Sequence, residues 1–138
     1  MNKKAFTMIE LVFVIVILGI LAGVALPKLS VTRDDATTAK MRADVSSIRS
    51  GIALQKSKYM MEGNISGWRD NIKTLVGDNF SGVVQGGIKK GNARNGWTIS
   101  GDTYKACIAG KCVDFELVTT GKNVGDFNCK GNDCNLFE

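Results

Sequence analysis

The sequence contains no histidine and a single proline in its 138 residues. Without histidine, the chain lacks the commonest general base, the commonest zinc ligand and the usual pH sensor of proteins. The sequence contains no recognisable set of catalytic residues, so we expect a protein that is not an enzyme. Sixteen glycines against one proline predict a loop-rich second half that contains β-strands.

Charge is missing from residues 11–26, which are apolar or glycine throughout. A helix of that length rises about 24 Å, and residues 6–10 extend it to the roughly 30 Å of a hydrocarbon core. Lys3 and Lys4 precede the run. Because basic residues tend to stay on the cytoplasmic side, we expect a single-pass protein whose N-terminus is cytoplasmic and whose remainder lies across the membrane.

Glu10 lies at the start of this apolar run, and three interpretations compete to explain it. A secretory signal peptide would end at small residues such as Gly23-Val24-Ala25, but the run is long for a signal peptide and Glu10 interrupts its start. A plain transmembrane anchor explains the length of the run. It leaves the carboxylate unexplained, since burying one costs about 2.5–3.5 kcal/mol at mid-depth.

The third interpretation gives this carboxylate a partner. If the chain is cut after Ala5, the new amine lies on Phe6, four residues before Glu10. The carboxylate of Glu10 can then pair with the amine of a neighbouring subunit and set the axial stagger between helices. Such a pair offsets two desolvation penalties at once.

The residues from Ala5 to Glu10 read Ala-Phe-Thr-Met-Ile-Glu and closely resemble the processing motif of type IV pilins and of type II secretion pseudopilins. The resemblance extends over residues 1 to about 60. It implies that a dedicated inner-membrane peptidase cuts before Phe6 and methylates its amine, and that Glu10 governs assembly. Pro27 matches a proline near the end of the family's membrane helix, whereas Ala5 stands where glycine is usual.

Gly19 and Gly23 form a G-x-x-x-G pattern inside the apolar run. One interpretation is that glycine is simply frequent in membrane helices; the other is close helix–helix approach through a small-residue face. Pro27 removes a backbone donor and weakens the helix before it. The family resemblance implies that the helix can unwind between Gly19 and Pro27 when a filament forms.

The pattern of apolar residues predicts an α+β fold, in which a long N-terminal helix packs on a small antiparallel β-meander. The helix is expected from Phe6 to about Met60, with a membrane-spanning half and a soluble half. Its soluble half carries an apolar stripe at spacings of three, four or seven: Met41, Val45, Ile48, Ile52 and Tyr59. A short amphipathic helix is expected around residues 68–76, and a loop at 77–96 with a brief strand at Val83 and Val84. Three strands at 97–100, 103–108 and 111–118 follow, joined by two-residue turns.

The four cysteines form two pairs with the same spacing, Cys107-x4-Cys112 and Cys129-x4-Cys134. If residues 109–110 form a two-residue turn, Cys107 faces Cys112 across two strands at a non-hydrogen-bonded position, where side chains lie closest. Gly131 and Asn132 could do the same for Cys129 and Cys134. Two local disulfides are favoured in an oxidising compartment; crossed disulfides and a metal site are the alternatives.

Two further groups of polar residues invite a functional interpretation. The tail carries oxygen ligands that loosely resemble the calcium loop of major pseudopilins: Asp126, Asn128, Asn132 and Asp133. Solvated turn residues are the default there, so no cofactor is expected and calcium is the alternative. Lys89, Lys90 and Arg94 lie close to Trp97 in sequence. We interpret them as a solvated loop and do not expect DNA binding.

These observations divide the chain into a leader peptide at residues 1–5, a transmembrane and assembly half-helix at 6–29, and a periplasmic globular domain at 30–138. The resemblance implies a structural subunit of a type II secretion pseudopilus or of a related competence pseudopilus for DNA uptake. The alternatives are a type IV surface pilin for adhesion or motility, and a membrane-anchored periplasmic binding domain that never polymerises. The expected partners are copies of the chain, other pilin-like subunits, the prepilin peptidase, and an inner-membrane assembly platform with a separate ATPase.

Overall fold

A computed structural model describes residues 5–138, apart from the side chain of Ser30. Lys3, Lys4 and most of the leader peptide lie outside the described residues. The elements are two helices, α1 (Met8–Met61) and α2 (Ile65–Val76), four strands and a short 3-10 helix (Cys134–Leu136). The strands are β1 (Gly96–Ser100), β2 (Thr103–Ile108), β3 (Lys111–Leu117) and β4 (Phe127–Lys130). This α+β arrangement confirms the predicted fold class.

Helix α1 passes through both compact units of the chain, which comprise the residues up to Asp35 and those of Ala36–Glu138. It begins two residues later than predicted, because Phe6 and Thr7 precede its first turn. Pro27 lies inside the helix, and the backbone around it stays helical. In the second unit the predicted stripe faces inward: Met41, Val45, Ile48 and Ile52 are buried.

The sheet of the second unit is antiparallel, with the strands in chain order, β1-β2-β3-β4. The three predicted strands are present with bounds within one residue of those expected. Strand β4 was not predicted from the sequence; it is a four-residue strand that pairs with β3 through Phe127 opposite Leu117. The brief strand predicted at Val83 and Val84 is wrong. The backbone N–H groups of both residues donate to the carbonyl of Phe80, at 3.1 and 2.8 Å, and so form turns.

The core of the second unit is aromatic. Phe115 stacks on Phe127 with ring centroids 4.9 Å apart and planes inclined by 13°. Trp97 lies 5.3 Å from Phe115 and from Phe80, and Phe137 meets the edge of Phe115 at 6.2 Å. Because aromatic side chains bury large areas, these rings and the apolar stripe of α1 together hold helix and sheet to each other.

Two arginines on α1 bind the C-terminal segment to the helix. Arg42 donates to the backbone carbonyls of Asn135 and Leu136, both at 3.0 Å. Arg49 donates to the carbonyl of Phe127 at 3.1 Å and pairs with the carboxylate of Glu138. The guanidinium fork suits such multiple bonds, and these bonds join the C-terminal segment and β4 to α1.

Asp44 is a half-buried carboxylate on α1 that accepts a hydrogen bond from the indole Nε1 of Trp97 at 3.2 Å. Burial raises the pKa of its carboxyl above the ordinary value, against the opposing effects of Lys40 and of the Trp97 hydrogen bond. The ionised form of Asp44 is therefore held in the folded protein at a cost.

Replacing Asp44 by asparagine is expected to raise the midpoint of thermal unfolding at neutral pH, because an amide oxygen accepts the indole bond without burying a charge. The pKa of Asp44 is higher folded than unfolded, so the wild type gains relative stability below about pH 4 and loses it as the pH rises through the folded pKa. The difference between variant and wild type should therefore shrink in acid. Unfolding of the detergent-solubilised chain across a pH series measures it; an asparagine variant that is less stable at every pH contradicts this account.

Candidate assembly helix and processing site

The N-terminal unit presents an apolar helix whose side chains make no packed core. Its large apolar residues are all exposed, from Phe6 at 83% through Leu18 at 58% to Leu29 at 61%. Within residues 5–138, α1 is the one helix long and apolar enough to cross a membrane. An exposed apolar surface of this extent needs lipid or other helices around it.

The Ala5–Phe6 bond, the predicted processing site, lies in irregular backbone just before the helix. Ala5 and Phe6 are both exposed. A peptide bond outside a helix offers its N–H and C=O groups to a partner, which is what a peptidase needs in order to bind the backbone. The local geometry therefore suits a cut after Ala5, while the cut itself stays a prediction.

Glu10 closes the first turn of α1 together with Thr7. The backbone N–H of Thr7 donates to Glu10 Oε2 at 2.9 Å, and the Thr7 hydroxyl donates to the same oxygen at 3.0 Å. The Glu10 N–H in turn lies 3.3 Å from Thr7 Oγ1. This is a capping box, in which residues three apart satisfy each other's free donors at a helix start.

This local role of Glu10 was not predicted from the sequence, although the Thr-x-x-Glu spacing is its known signal. The capping box gives the carboxylate partners in its own chain. Any pairing of Glu10 with the Phe6 amine of a neighbour must therefore compete with Thr7. Glu10 therefore has two candidate roles, capping its own helix and pairing with a neighbouring subunit, and variants must separate them.

Gly19, Gly23 and Pro27 follow one another at intervals of four residues along α1 and so share one face of the helix. Nothing lies within 4 Å of a Cβ built on either glycine. Pro27 supplies no N–H to the carbonyl four residues earlier, at Gly23. The two glycines give this face little bulk, which favours close approach by a second helix. The assembly role of these residues remains a prediction.

The cysteines form two local disulfides in the structure. Cys107 and Cys112 lie opposite each other on β2 and β3, with a Cα–Cα separation of 4.1 Å. The connecting turn has positive φ at both central residues, 51° at Ala109 and 84° at Gly110, as a tight two-residue hairpin requires.

The second disulfide differs from the expected cross-strand geometry. Cys129 lies on β4, but Cys134 opens the 3-10 helix, and their Cα atoms are 5.9 Å apart. Gly131 and Asn132 therefore lead from a strand into a helical turn rather than into another strand. The bridge ties β4 to the segment that carries the buried Phe137.

The structure does not gather the tail's oxygen ligands into one place. Asp126 immediately precedes β4, whereas Asp133 lies beyond its far end, before the 3-10 helix. Across the part of the chain that the structure describes, no group of three or more His, Cys, Asp or Glu side chains is arranged to hold a metal ion.

Comparison with known proteins bears on the N-terminal segment. Residues 1–26 match the family model of the prokaryotic N-terminal methylation motif. This segment therefore carries the methylation motif. The chain is also 43% identical, over 54 residues, to the type IV narrow pilus major component PilA5 of Thermus thermophilus. That match covers 39% of this chain and 47% of the relative, about half of its length. No solved structure matches the chain.

Proposed function

We propose that this chain is a structural subunit of a membrane-rooted filament of the type IV class, assembled through its N-terminal helix. The observation that carries the proposal is the helix itself. It is exposed and uncharged over residues 11–26, and its carboxylate, Glu10, lies at the fifth position after the Ala5–Phe6 bond.

In the proposed assembly, the apolar helix first holds the subunit in the inner membrane with its N-terminus cytoplasmic and residues 30–138 periplasmic. A prepilin peptidase cuts after Ala5 and methylates the new amine of Phe6. In the filament, apolar side chains of neighbouring helices replace lipid around α1, and Gly19 and Gly23 allow close approach. The carboxylate of Glu10 meets the amine of a neighbour's Phe6 and fixes the axial stagger, because a mismatched stack would leave two buried charges unpaired.

The relative's printed name describes a type IV pilus component, which favours a pilus over a pseudopilus as the filament that this subunit builds. The sequence alone pointed first to the pseudopilus of a type II secretion or competence system, which carries the same motif. We propose the surface pilus as the leading assignment. Deleting the gene should then remove surface filaments in electron micrographs and leave exoprotein secretion and DNA uptake unchanged. Loss of secretion or uptake in cells that keep their surface filaments would assign the subunit to a pseudopilus instead.

The mature chain is expected to begin at Phe6 with a methylated amine, because the Ala5–Phe6 bond lies outside the helix and within the matched methylation motif. Intact mass and N-terminal sequencing of the chain from membranes or filaments measure this. Ala5→Gly should be cut normally, since glycine is usual at this position in the family, and Ala5→Leu should remain uncut because of its bulk. A mature chain that begins at Leu26 would instead identify a secretory signal peptide, and an uncut wild-type chain would identify a plain anchor.

A further inference from the structure

The sequence contains two Asn-x-Ser triplets, Asn64-Ile65-Ser66 and Asn79-Phe80-Ser81. An asparagine followed two positions later by serine or threonine, with any residue but proline between them, is the acceptor pattern for attachment of a sugar chain to the asparagine nitrogen. So short a pattern also arises by chance. The two triplets differ, however, in whether an enzyme can reach and bind them in the folded unit.

The first triplet lies in the corner between α1 and α2. Helix α1 ends at Met61 and α2 begins at Ile65, and the side chains of Asn64, Ile65 and Ser66 are all exposed. The ends of helices fray more readily than their middles. A transferring enzyme can therefore bind this segment without disturbing the core.

The carboxamide of Asn64 has its oxygen engaged and its nitrogen free. Asn64 Oδ1 accepts a hydrogen bond from the Gly67 N–H at 2.9 Å and so caps α2, whereas Nδ2 makes no hydrogen bond within residues 5–138. A Cβ at Gly67 would clash with this nitrogen, so glycine provides the space that it occupies. Because an N-linked sugar is carried by Nδ2, attachment leaves the capping oxygen available.

The second triplet is fixed by its middle residue. Phe80 is fully buried, and its ring centroid lies 5.3 Å from that of Trp97 and 5.0 Å from that of Tyr104. The carbonyl of Asn79 accepts a hydrogen bond from the Ile88 N–H at 2.7 Å. An enzyme could draw out this triplet only by unpacking Phe80, so we expect no sugar on Asn79.

Exposed apolar side chains surround the first triplet. Met60 and Ile65 are each 52% exposed and Met61 is 83% exposed, and all three lie within four residues of Asn64. The Asn64 N–H donates to the carbonyl of Tyr59 at 2.9 Å, which turns the chain back at this point. We call Met60, Met61 and Ile65 the apolar corner. Neighbouring exposed apolar groups often mark a surface that something else covers.

We propose that Asn64 is the attachment site of an N-linked sugar chain, transferred from a lipid-linked glycosyl pyrophosphate, and that this sugar covers the apolar corner. The inference rests on the proposed function, which places residues 30–138 outside the cytoplasm. In the transfer, Asn64 Nδ2 bonds to the anomeric carbon, and the bond from that carbon to the phosphate oxygen breaks. The lipid pyrophosphate leaves, and the proton lost by Nδ2 passes to it. The pattern requires the Ser66 hydroxyl, which we assign to recognition by the enzyme.

The test locates sugar on the chain purified from the membranes or filaments of the cells that produce it. Peptide mass spectrometry, with fragmentation that keeps sugars attached, should find added sugar mass on Asn64 and none on Asn79. Asn64→Asp should abolish the modification, because aspartate caps a helix as well as asparagine does but offers no amide nitrogen. Ser66→Ala keeps Asn64 and its cap and should also abolish it, whereas Ser66→Thr should preserve it.

The outcomes separate the attachment site from the filament function. An unmodified Asn64 in chains taken from filaments overturns the attachment site and leaves the filament function standing. A sugar that persists in Asn64→Asp also overturns it, because that sugar must lie on another group, such as the Ser66 hydroxyl. Sugar on Asn64 of a chain that builds no filament would support the attachment site and reject the filament function.

Oxidation by hydrogen peroxide measures whether the sugar covers the apolar corner. Peroxide transfers one oxygen atom to a methionine sulfur, which becomes a sulfoxide, and is itself reduced to water. Met60 and Met61 should be oxidised severalfold more slowly in the wild-type chain than in Ser66→Ala. Met41, which is fully buried, is the internal control and should resist oxidation in both. Equal rates for Met60 and Met61 in the two chains would contradict the covering of the corner.

Discussion

Replacing Glu10 by glutamine is expected to abolish filament assembly while the chain is still inserted, cut and folded. In the filament, the amine of a neighbour's Phe6 would lose its charged partner, and breaking a buried pair costs about 3–5 kcal/mol. Insertion should persist or become easier, since a buried amide costs less than a buried charge. A filament or crosslinked-oligomer assay, beside a membrane-fraction blot, measures both.

The capping box supplies a control that separates the two roles of Glu10. Glutamine can still occupy the third position of a capping box, so Glu10→Gln removes the charge and keeps the cap with Thr7. Thr7→Val does the reverse: it removes the hydroxyl that Glu10 contacts at 3.0 Å and keeps the carboxylate. Losing a cap costs about 0.5–2 kcal/mol, which a long apolar helix should tolerate.

If Glu10 registers neighbouring subunits, Thr7→Val should assemble and Glu10→Gln should not. Assembly lost in Thr7→Val and kept in Glu10→Gln would make helix capping the role of Glu10. Normal filaments from Glu10→Gln as the sole subunit would remove the registration role altogether.

Replacing Phe115 by alanine is expected to destabilise the globular unit by about 3–5 kcal/mol, the usual cost of removing a buried aromatic side chain. Phe115 is fully buried, stacked on Phe127 at 4.9 Å and bordered by Trp97. Small domains are stable by only about 5–15 kcal/mol, so the variant should be partly unfolded under mild denaturation. Insertion should be unaffected, because the apolar run is unchanged.

Near-UV circular dichroism of the detergent-solubilised chain, titrated with urea, measures this loss as a lower midpoint. Phe115→Leu keeps most of the volume and should lose clearly less than Phe115→Ala. Leu54→Ala is the exposed control on α1, since Leu54 is 72% exposed, and should shift stability by no more than about 0.5 kcal/mol. A Phe115→Ala midpoint equal to that of wild type would show that the aromatic stack does not hold the core.

The sequence predicted best those elements whose signals are local and repeated. The stripe of α1 recurs over several turns, and β2 and β3 alternate on either side of a two-residue turn, so their bounds could be derived. Strand β4 spans only four residues, too few to show alternation, and it forms because β3 offers a free edge. Valine has a high β propensity, but the N–H groups of Val83 and Val84 donate to the carbonyl of Phe80 and form turns instead.

The residues of the candidate site could be identified from the sequence, but the hydrogen bonds between them could not. Ala5, Phe6 and Glu10 follow from one motif, but the bond between Thr7 and Glu10 required attention to helix capping rather than to membranes. The hydrogen bond from the Gly110 N–H to the carbonyl of Arg94 depends on a loop folding onto a turn 16 residues later. No local pattern in the sequence encodes such a contact.

The chain order of the sheet bears on how the globular unit can fold. Each strand pairs with the one just before it, and each disulfide joins cysteines five positions apart. Such local contacts form quickly because only short loops must close. The sheet can therefore grow by successive addition, strand after strand, without waiting for distant sequence. The bonds from Arg42 to the carbonyls of Asn135 and Leu136 close much longer loops, of 93 and 94 residues. We therefore expect the contact between helix and tail to form after the sheet.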